Sequence, residues 1–172
     1  MALMVWKPNV TVAAIIERDR RFLLVEETAN DGRVVFNQPA GHLEPGETLF
    51  DAVKREVLEE TGWHFEPEAL VGVYLCSNAE EDVTYLRMCF CGRCQKHEPE
   101  RPLDEGIIRV RWLSRDELIS MREKLRSPMV LRCIDDHMKR RHYPLDILNH
   151  YIPGKRLAAS TGPEETAWSQ HK

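Results

Sequence analysis

Short runs of β-branched and apolar residues give way to helical spacing and back again along this chain, and that switching orders it before any chemistry is considered. Residues 10–16 are apolar and β-branched, Asp19-Arg20 marks a turn, and residues 22–25 form a second apolar run, so the pair predicts a hairpin. Residues 34–36 and the stretch before Gly41 are extended. From Thr48 the period becomes helical: Leu49, Phe50, Val53 and Val57 make an apolar stripe, Thr48 and Asp51 can cap its start, and Gly62 stands where a left-handed cap ends a helix. Residues 70–76 and 84–91 predict a second antiparallel pair, the first offering Val71, Val73 and Leu75 on alternate positions. Residues 107–113 form a further strand. Ser114 with Glu117 opens a helix to about Lys124, and Pro128 opens another to about Arg141. Strands and helices in this alternation indicate an α/β fold, a sheet covered by helices.

Residues 1–152 are expected to form a single domain. From Pro153 onward small and polar residues dominate without periodicity, and residues 153–172 are expected to be a disordered tail.

Among these elements the predicted helix at residues 48–62 carries the chemistry. A helix turns by about 100° per residue, so Glu56, Glu59 and Glu60 share one face. Exposed like charges at that spacing cost about 0.2–0.5 kcal/mol per pair, and burial makes them repel more strongly. A hard divalent cation reverses the sign. Mg²⁺ takes carboxylate oxygens, keeps several waters and completes its shell with substrate phosphates. A solvated acidic face is the plainer alternative, but the well-formed helix holds these carboxylates rigidly together.

The order Gly41, five residues, Glu47, seven residues, Arg55-Glu56-Val57, one residue, Glu59-Glu60, one residue, Gly62-Trp63 resembles the signature of the Nudix hydrolases, with each required position filled. That resemblance implies a mixed β-sheet sandwiched between α-helices and metal-dependent hydrolysis of phosphoanhydrides. It implies Glu56, Glu59 and Glu60 as metal-binding carboxylates, the Ala40 carbonyl as a further ligand, Glu47 and Arg55 as a brace, and Gly41 and Gly62 as supports. Family members usually have glycine where Ala40 stands; a carbonyl ligand does not depend on the side chain. Lys7-Pro8-Asn9, Val25-Glu26-Glu27-Thr28, Asn37-Gln38-Pro39-Ala40-Gly41-His42, Leu125-Arg126-Ser127-Pro128 and Tyr143-Pro144-Leu145 extend the similarity to NudJ-type phosphatases. These act on nucleoside tri- and diphosphates and on thiamine-related pyrophosphates. The expected cofactor is Mg²⁺, with Mn²⁺ as the alternative.

The general base is expected within Glu56 and Glu59, with Glu105, just ahead of the strand at residue 107, as an outside candidate. Phe36 can stack on a substrate ring, although a strand Phe is more often core. Arg33, Arg87 and Arg126 are candidate phosphate contacts because guanidinium binds phosphate in a bidentate manner. Rival readings are a Nudix pyrophosphohydrolase acting on ADP-sugars, dinucleoside polyphosphates or oxidised nucleotides, and a binding module of the same fold without catalysis; the intact acidic row disfavours the second.

Composition narrows the partners. A net charge of −4 gives no general attraction to nucleic acid, and no apolar run approaches the roughly 20 residues of a membrane span. Without a secretory signal pattern, five cysteines are expected to be reduced thiols in a cytoplasmic enzyme, monomeric or homodimeric. Cys89, Cys91 and Cys94, with Cys133 as a fourth, form a weak zinc pattern, because residues 89 and 91 share one face of a strand and fit there as small apolar side chains. His137 and His142 are five apart and share no clean helical face.

Overall fold

The computed structural model describes residues 6–78 and 83–151. The expected tail at 153–172 lies outside them. Strand β1 (Asn9–Arg18) runs to Asp19 and Arg20, and both take positive φ, 51° and 59°. β2 (Arg21–Thr28) returns antiparallel, with Arg18 opposite Arg21. Two left-handed residues at a two-residue hairpin match the right-handed twist of the flanking strands.

Beyond this turn β1 and β2 diverge and each recruits its own partners. β2 lies between β3 (Val34–Asn37) and β7 (Ile107–Ser114), both antiparallel to it. β1 pairs with the short β4 (Ala40–His42) on one side and with β6 (Val83–His97) on the other, the latter in parallel. β5 (Trp63–Asn78) forms the far edge, antiparallel to β6. The sheet is therefore mixed.

β1 is buried on both faces, which explains why its sequence is continuously apolar rather than alternating. Val12, Ala14 and Ile16 face helix α1 (Leu49–Thr61), joining Val53, Val57 and Phe90. Ala13 and Ile15 face the opposite way, toward Val130, Cys133 and Ile134 of α3 (Met129–Met138). The sandwich expected from the sequence is present. α2 (Arg115–Ser120) is capped by Ser114 and Glu117, but it stops at residue 120, and a separate 3-10 turn covers Arg122–Lys124. α3 ends before the expected Arg141 because Arg140 takes φ 57° and turns the chain back.

β5 departs from the expected alternation. Leu70 pairs with Phe90 and Gly72 with Cys89, so Val71 is an extra residue at a bulge. Leu70 and Val71 are buried, the phase inverts, and Val73 and Leu75 stand 51% and 67% exposed. Tyr74 turns inward instead, its hydroxyl donating to Asp136 of α3. The expected antiparallel pairing of β5 with β6 is present, with Val73 and Leu75 on its solvent side.

At the hairpin end of the sheet, Arg18 lies between the rings of Trp63 and Trp112, 4.9 Å from each. That contact links β1, β5 and β7 across the junction of the two half-sheets. Among the described residues no helix is long and apolar enough to cross a membrane.

Candidate active site

α1 begins in a capping box: the Thr48 hydroxyl accepts from the Asp51 N–H at 3.1 Å, and the Asp51 carboxylate accepts from the Thr48 N–H at 3.2 Å. Gly62 ends it at φ 69°, its N–H donating to Leu58 O. A Cβ at Gly62 would also stand 2.8 Å from the Glu98 carbonyl, so only glycine suits the position. These fixed ends set the phase of the helix. Val53 and Val57 face the core, and Glu56 and Glu60 are carried with them toward β4, both buried.

β4 receives the two carboxylates through its backbone. Ala40 N–H donates to Glu60 Oε2 at 2.9 Å. Beside it, a Cβ built on Gly41 would fall 2.2 Å from the Glu56 carboxyl carbon, so Gly41 leaves the volume that this carboxylate occupies.

Arg55 ties the row together. Its Nε and one terminal nitrogen donate to the two Glu47 oxygens at 3.1 and 2.8 Å, and the other terminal nitrogen reaches Glu56 at 2.8 Å and Glu59 at 3.2 Å. A further bond goes to the His42 carbonyl at 3.0 Å. The fork of donors on a half-buried guanidinium suits this simultaneous binding. The hydrogen bonds it donates to Glu47, and then those to Glu56 and Glu59, raise the Arg55 pKa against the effect of burial. Burial pushes the Glu47 carboxyl up, but Arg55 and the Glu44 N–H outweigh it, leaving Glu47 below its ordinary value.

The two buried carboxylates go the other way. Burial raises Glu56 above the usual carboxylate range, with Glu59 and Asp104 adding to the effect and Arg55 opposing it. Burial raises Glu60 further still, the Ala40 N–H opposing, and Glu56, Glu27 and Asp104 reinforcing. Negative charge is concentrated here beyond what one arginine balances.

Glu27 and Asp104 were not singled out by the sequence. Glu27 lies at a bulge where β2 meets β7; its neighbour Glu26 accepts from Arg109, its partner across the two strands, at 2.6 Å. The Glu27 Oε1 atom is buried and accepts no hydrogen bond, with Arg126 at 3.6 Å as its nearest cation. Asp104 is drawn in by its own N–H, which donates to Glu59 O at 3.0 Å. Glu105, the residue chosen from sequence, is exposed in the turn ending at Gly106, and no contact joins it to the acidic row. Asp104 and Glu105 stand side by side and exposed in the turn that Gly106 closes at φ 90°.

The remaining candidates separate. Phe36 is 7% exposed and packs in the core with Leu24 and Leu125, so it takes the core alternative and offers no free ring face. Arg33 is exposed in the turn before β3, bound to Asp31 at 2.7 Å. Arg87 donates to Gln38 Oε1 at 2.9 Å, and Gln38 in turn donates to the Val130 carbonyl, which fixes the loop leading to Ala40. Arg126 N–H donates to Phe36 O and its guanidinium stands beside Glu27, nearest the acidic row of the three.

A model of the NUDIX domain matches residues 7–132, which takes in the whole acidic cluster. The chain belongs to the Nudix hydrolase family. It is 37% identical over 146 residues to Phosphatase NudJ of Escherichia coli K12, covering 85% of this chain and 94% of that protein. A Nudix hydrolase from Nitrosomonas europaea, 49% identical, superposes with a TM-score of 0.84 over 86% of this chain and 100% of its own. The Nudix domain of Shewanella oneidensis NrtR, solved with ADP ribose, shares the fold at 15% identity and a TM-score of 0.64, with 81% and 92% of the two chains covered. The protein is thus a Nudix enzyme with the α/β Nudix fold, and its family and its similarity to Phosphatase NudJ support pyrophosphate-bond hydrolysis. Nudix hydrolases generally use divalent metals, and the donor set here fits one: carboxylates raised by burial, with neighbouring carboxylates adding, and a buried Glu27 oxygen that accepts no hydrogen bond.

Proposed function

We propose that this Nudix hydrolase cleaves phosphoanhydride bonds in nucleoside tri- and diphosphates and in thiamine-related pyrophosphates, such as hydroxymethylpyrimidine pyrophosphate and thiamine pyrophosphate, releasing orthophosphate with Mg²⁺ or Mn²⁺. The observation that carries the reading is the gathering of Glu27, Glu56, Glu59, Glu60 and Asp104 around Ala40 and Gly41, with one buried oxygen left without a donor. Similarity to Phosphatase NudJ over nearly its whole length supports the substrate class.

Glu56, Glu59, Glu60 and the Ala40 carbonyl would hold the cation, with Glu27 supplying a further oxygen. When bound, Mg²⁺ supplies charge neutralisation for the phosphate oxygens and lowers the pKa of a coordinated water. The chain's own contribution is orientation and proton transfer. Arg55, fixed by Glu47, holds Glu56 and Glu59 in place. Of these two, Glu59 is the more exposed, with 31% of its side chain open against 10% for Glu56, and it is the better placed to take the proton of an attacking water. Arg126 is positioned to meet substrate phosphate beside Glu27. Positioning and charge compensation account for most phosphoryl-transfer catalysis, so no nucleophilic side chain is required.

The test is phosphate release from GTP and thiamine pyrophosphate with Mg²⁺ present or chelated, with products separated by chromatography. Stepwise orthophosphate is expected, and chelation is expected to abolish it. Inorganic pyrophosphate as the main product from triphosphates would overturn the substrate reading and leave the family assignment standing.

A further inference from the structure

The second concentration of donor atoms lies on the other face of the sheet, under α3. Cys91 of β6, His137 in the last turn of α3 and His142 in the segment after it place one donor atom each within 4.8 Å of one another. Five residues apart, the two histidines share no helical face. They meet because α3 stops at Met138 and Arg140, at φ 57°, turns the chain back. Their rings then stack at 4.8 Å between centroids and 23° between planes.

Core packing accounts for the stacking but not for one atom. His137 is 6% exposed; its Nε2 lies 3.0 Å from Glu17 Oε2, whereas its Nδ1 is buried and has no partner. A carboxylate on one imidazole nitrogen makes that nitrogen the N–H donor, so the lone pair is left on Nδ1. An imidazole backed by a carboxylate, with its second nitrogen unused, is the usual arrangement of a metal-ligating histidine. His142 Nε2 donates to the His137 carbonyl at 3.2 Å, which places the second imidazole against the first.

We propose that Cys91 Sγ, His137 Nδ1 and His142 form a binding site for a thiophilic divalent cation of the zinc type, separate from the acidic cluster on α1. Thiolate with imidazole selects Zn²⁺ over Mg²⁺, which prefers oxygen. Metal–ligand bonds of about 2.0–2.3 Å require the three donors to close to roughly 3.3–3.8 Å. His142, half-buried on the returning segment, supplies that movement, and a water fills the fourth position. The Cys91 thiol, pushed up to about 11 by burial with Glu68 adding and Arg140 opposing, gives up its proton to solvent as the sulfur–metal bond forms. The cation would clamp the end of α3 to β6. The four-thiol set suggested by the sequence is not assembled: Cys94 packs on the α1 side of the sheet, and Cys89 and Cys133 hydrogen-bond to each other.

The experiment is a Co²⁺ titration of metal-stripped protein in excess Mg²⁺, which keeps the carboxylate cluster occupied. A thiolate-to-cobalt charge-transfer band in the near ultraviolet should saturate at one equivalent and vanish on adding Zn²⁺. Cys91→Ser and His142→Asn should each abolish the band and leave Mg²⁺-dependent phosphate release unchanged. Glu17→Gln should keep the band but weaken binding about tenfold, as expected when the group behind a ligand is lost. No band in the wild type, or a band that survives both substitutions, would overturn the proposal. Should Cys91→Ser fail to fold, His142→Asn decides, because its side chain is only half-buried.

Discussion

The carboxylate of Glu56 occupies the space a Cβ on residue 41 would fill, 2.2 Å from the built atom. Helix and strand therefore meet through glycine, and the acidic row sits closer to the β4 backbone than any other residue would permit. Gly41→Ala should displace Glu56 and lower turnover by about 10²-fold, the scale expected when a catalytic group moves by about 1 Å. Steady-state kinetics at saturating Mg²⁺ measure it. Activity within twofold of wild type would show that the helix can retreat without consequence.

Glu59→Gln keeps the shape and removes the charge, and is expected to reduce turnover by about 10²-fold or more with an unchanged melting temperature. Equal activity would move the proton acceptor elsewhere, with Glu105 and its neighbour Asp104 as the next places to look.

Glu60→Gln separates charge from shape more sharply. Gln retains an oxygen for the Ala40 N–H while removing a buried charge beside Glu56, Glu27 and Asp104. The metal-free protein should melt at a higher temperature than wild type, and the rise in melting temperature on adding Mg²⁺ should shrink. A variant less stable without metal would mean that the carboxylate is not a source of repulsion.

A pH dependence follows from the other end of α1. His150 Nε2 accepts the Leu49 N–H at 3.2 Å, capping a free amide of the first turn, and its ring lies 4.9 Å from that of Phe50. Burial lowers the His150 pKa, with Asp51 opposing. A depressed folded value means the unfolded chain binds the proton more readily, so stability is retained above the ordinary histidine pKa of about 6.5 and lost as pH falls below it. Protonation also removes the acceptor and places a positive charge at the positive end of the helix. Melting temperatures between pH 7 and pH 5 should fall more steeply for wild type than for His150→Gln. Parallel curves would rule out this contribution.

Arg20 offers a stabilising substitution. An L-residue in the left-handed region costs about 1–2 kcal/mol, and glycine avoids most of that. Arg20→Gly should raise the melting temperature by roughly 1–4 °C. A fall would mean that the Arg20 side chain contributes more than its backbone costs.

The local parts of this molecule were readable because each rests on neighbouring residues. Thr48, Asp51 and Gly62 mark the ends of α1, Asp19-Arg20 marks the hairpin, and the Glu56–Glu59–Glu60 face follows from helical spacing. What escaped depends on register between distant segments. Glu27 reads as one more strand carboxylate until the bulge aims it inward, and Asp104 enters only because the loop after β6 is stitched to Glu59. The inversion at Val71 exposes Val73 and Leu75 for the same reason: a bulge is a property of two strands. His137 and His142 meet through a left-handed Arg140 that no residue type announces.

The parallel pairing of β1 with β6 has a consequence for how the chain is made. Residues 12–16 are synthesised early, yet the neighbour that covers one edge of them, residues 88–92, emerges more than seventy residues later. At about 5–20 residues per second, a nascent chain carries that strand with an open edge for roughly 4–15 s. β2, β3, β4 and α1 emerge in the meantime, but none of these strands pairs along that edge. The most buried strand of the finished enzyme is thus its most aggregation-prone segment on the ribosome, and a chaperone that holds nascent chains should engage it there before any other part.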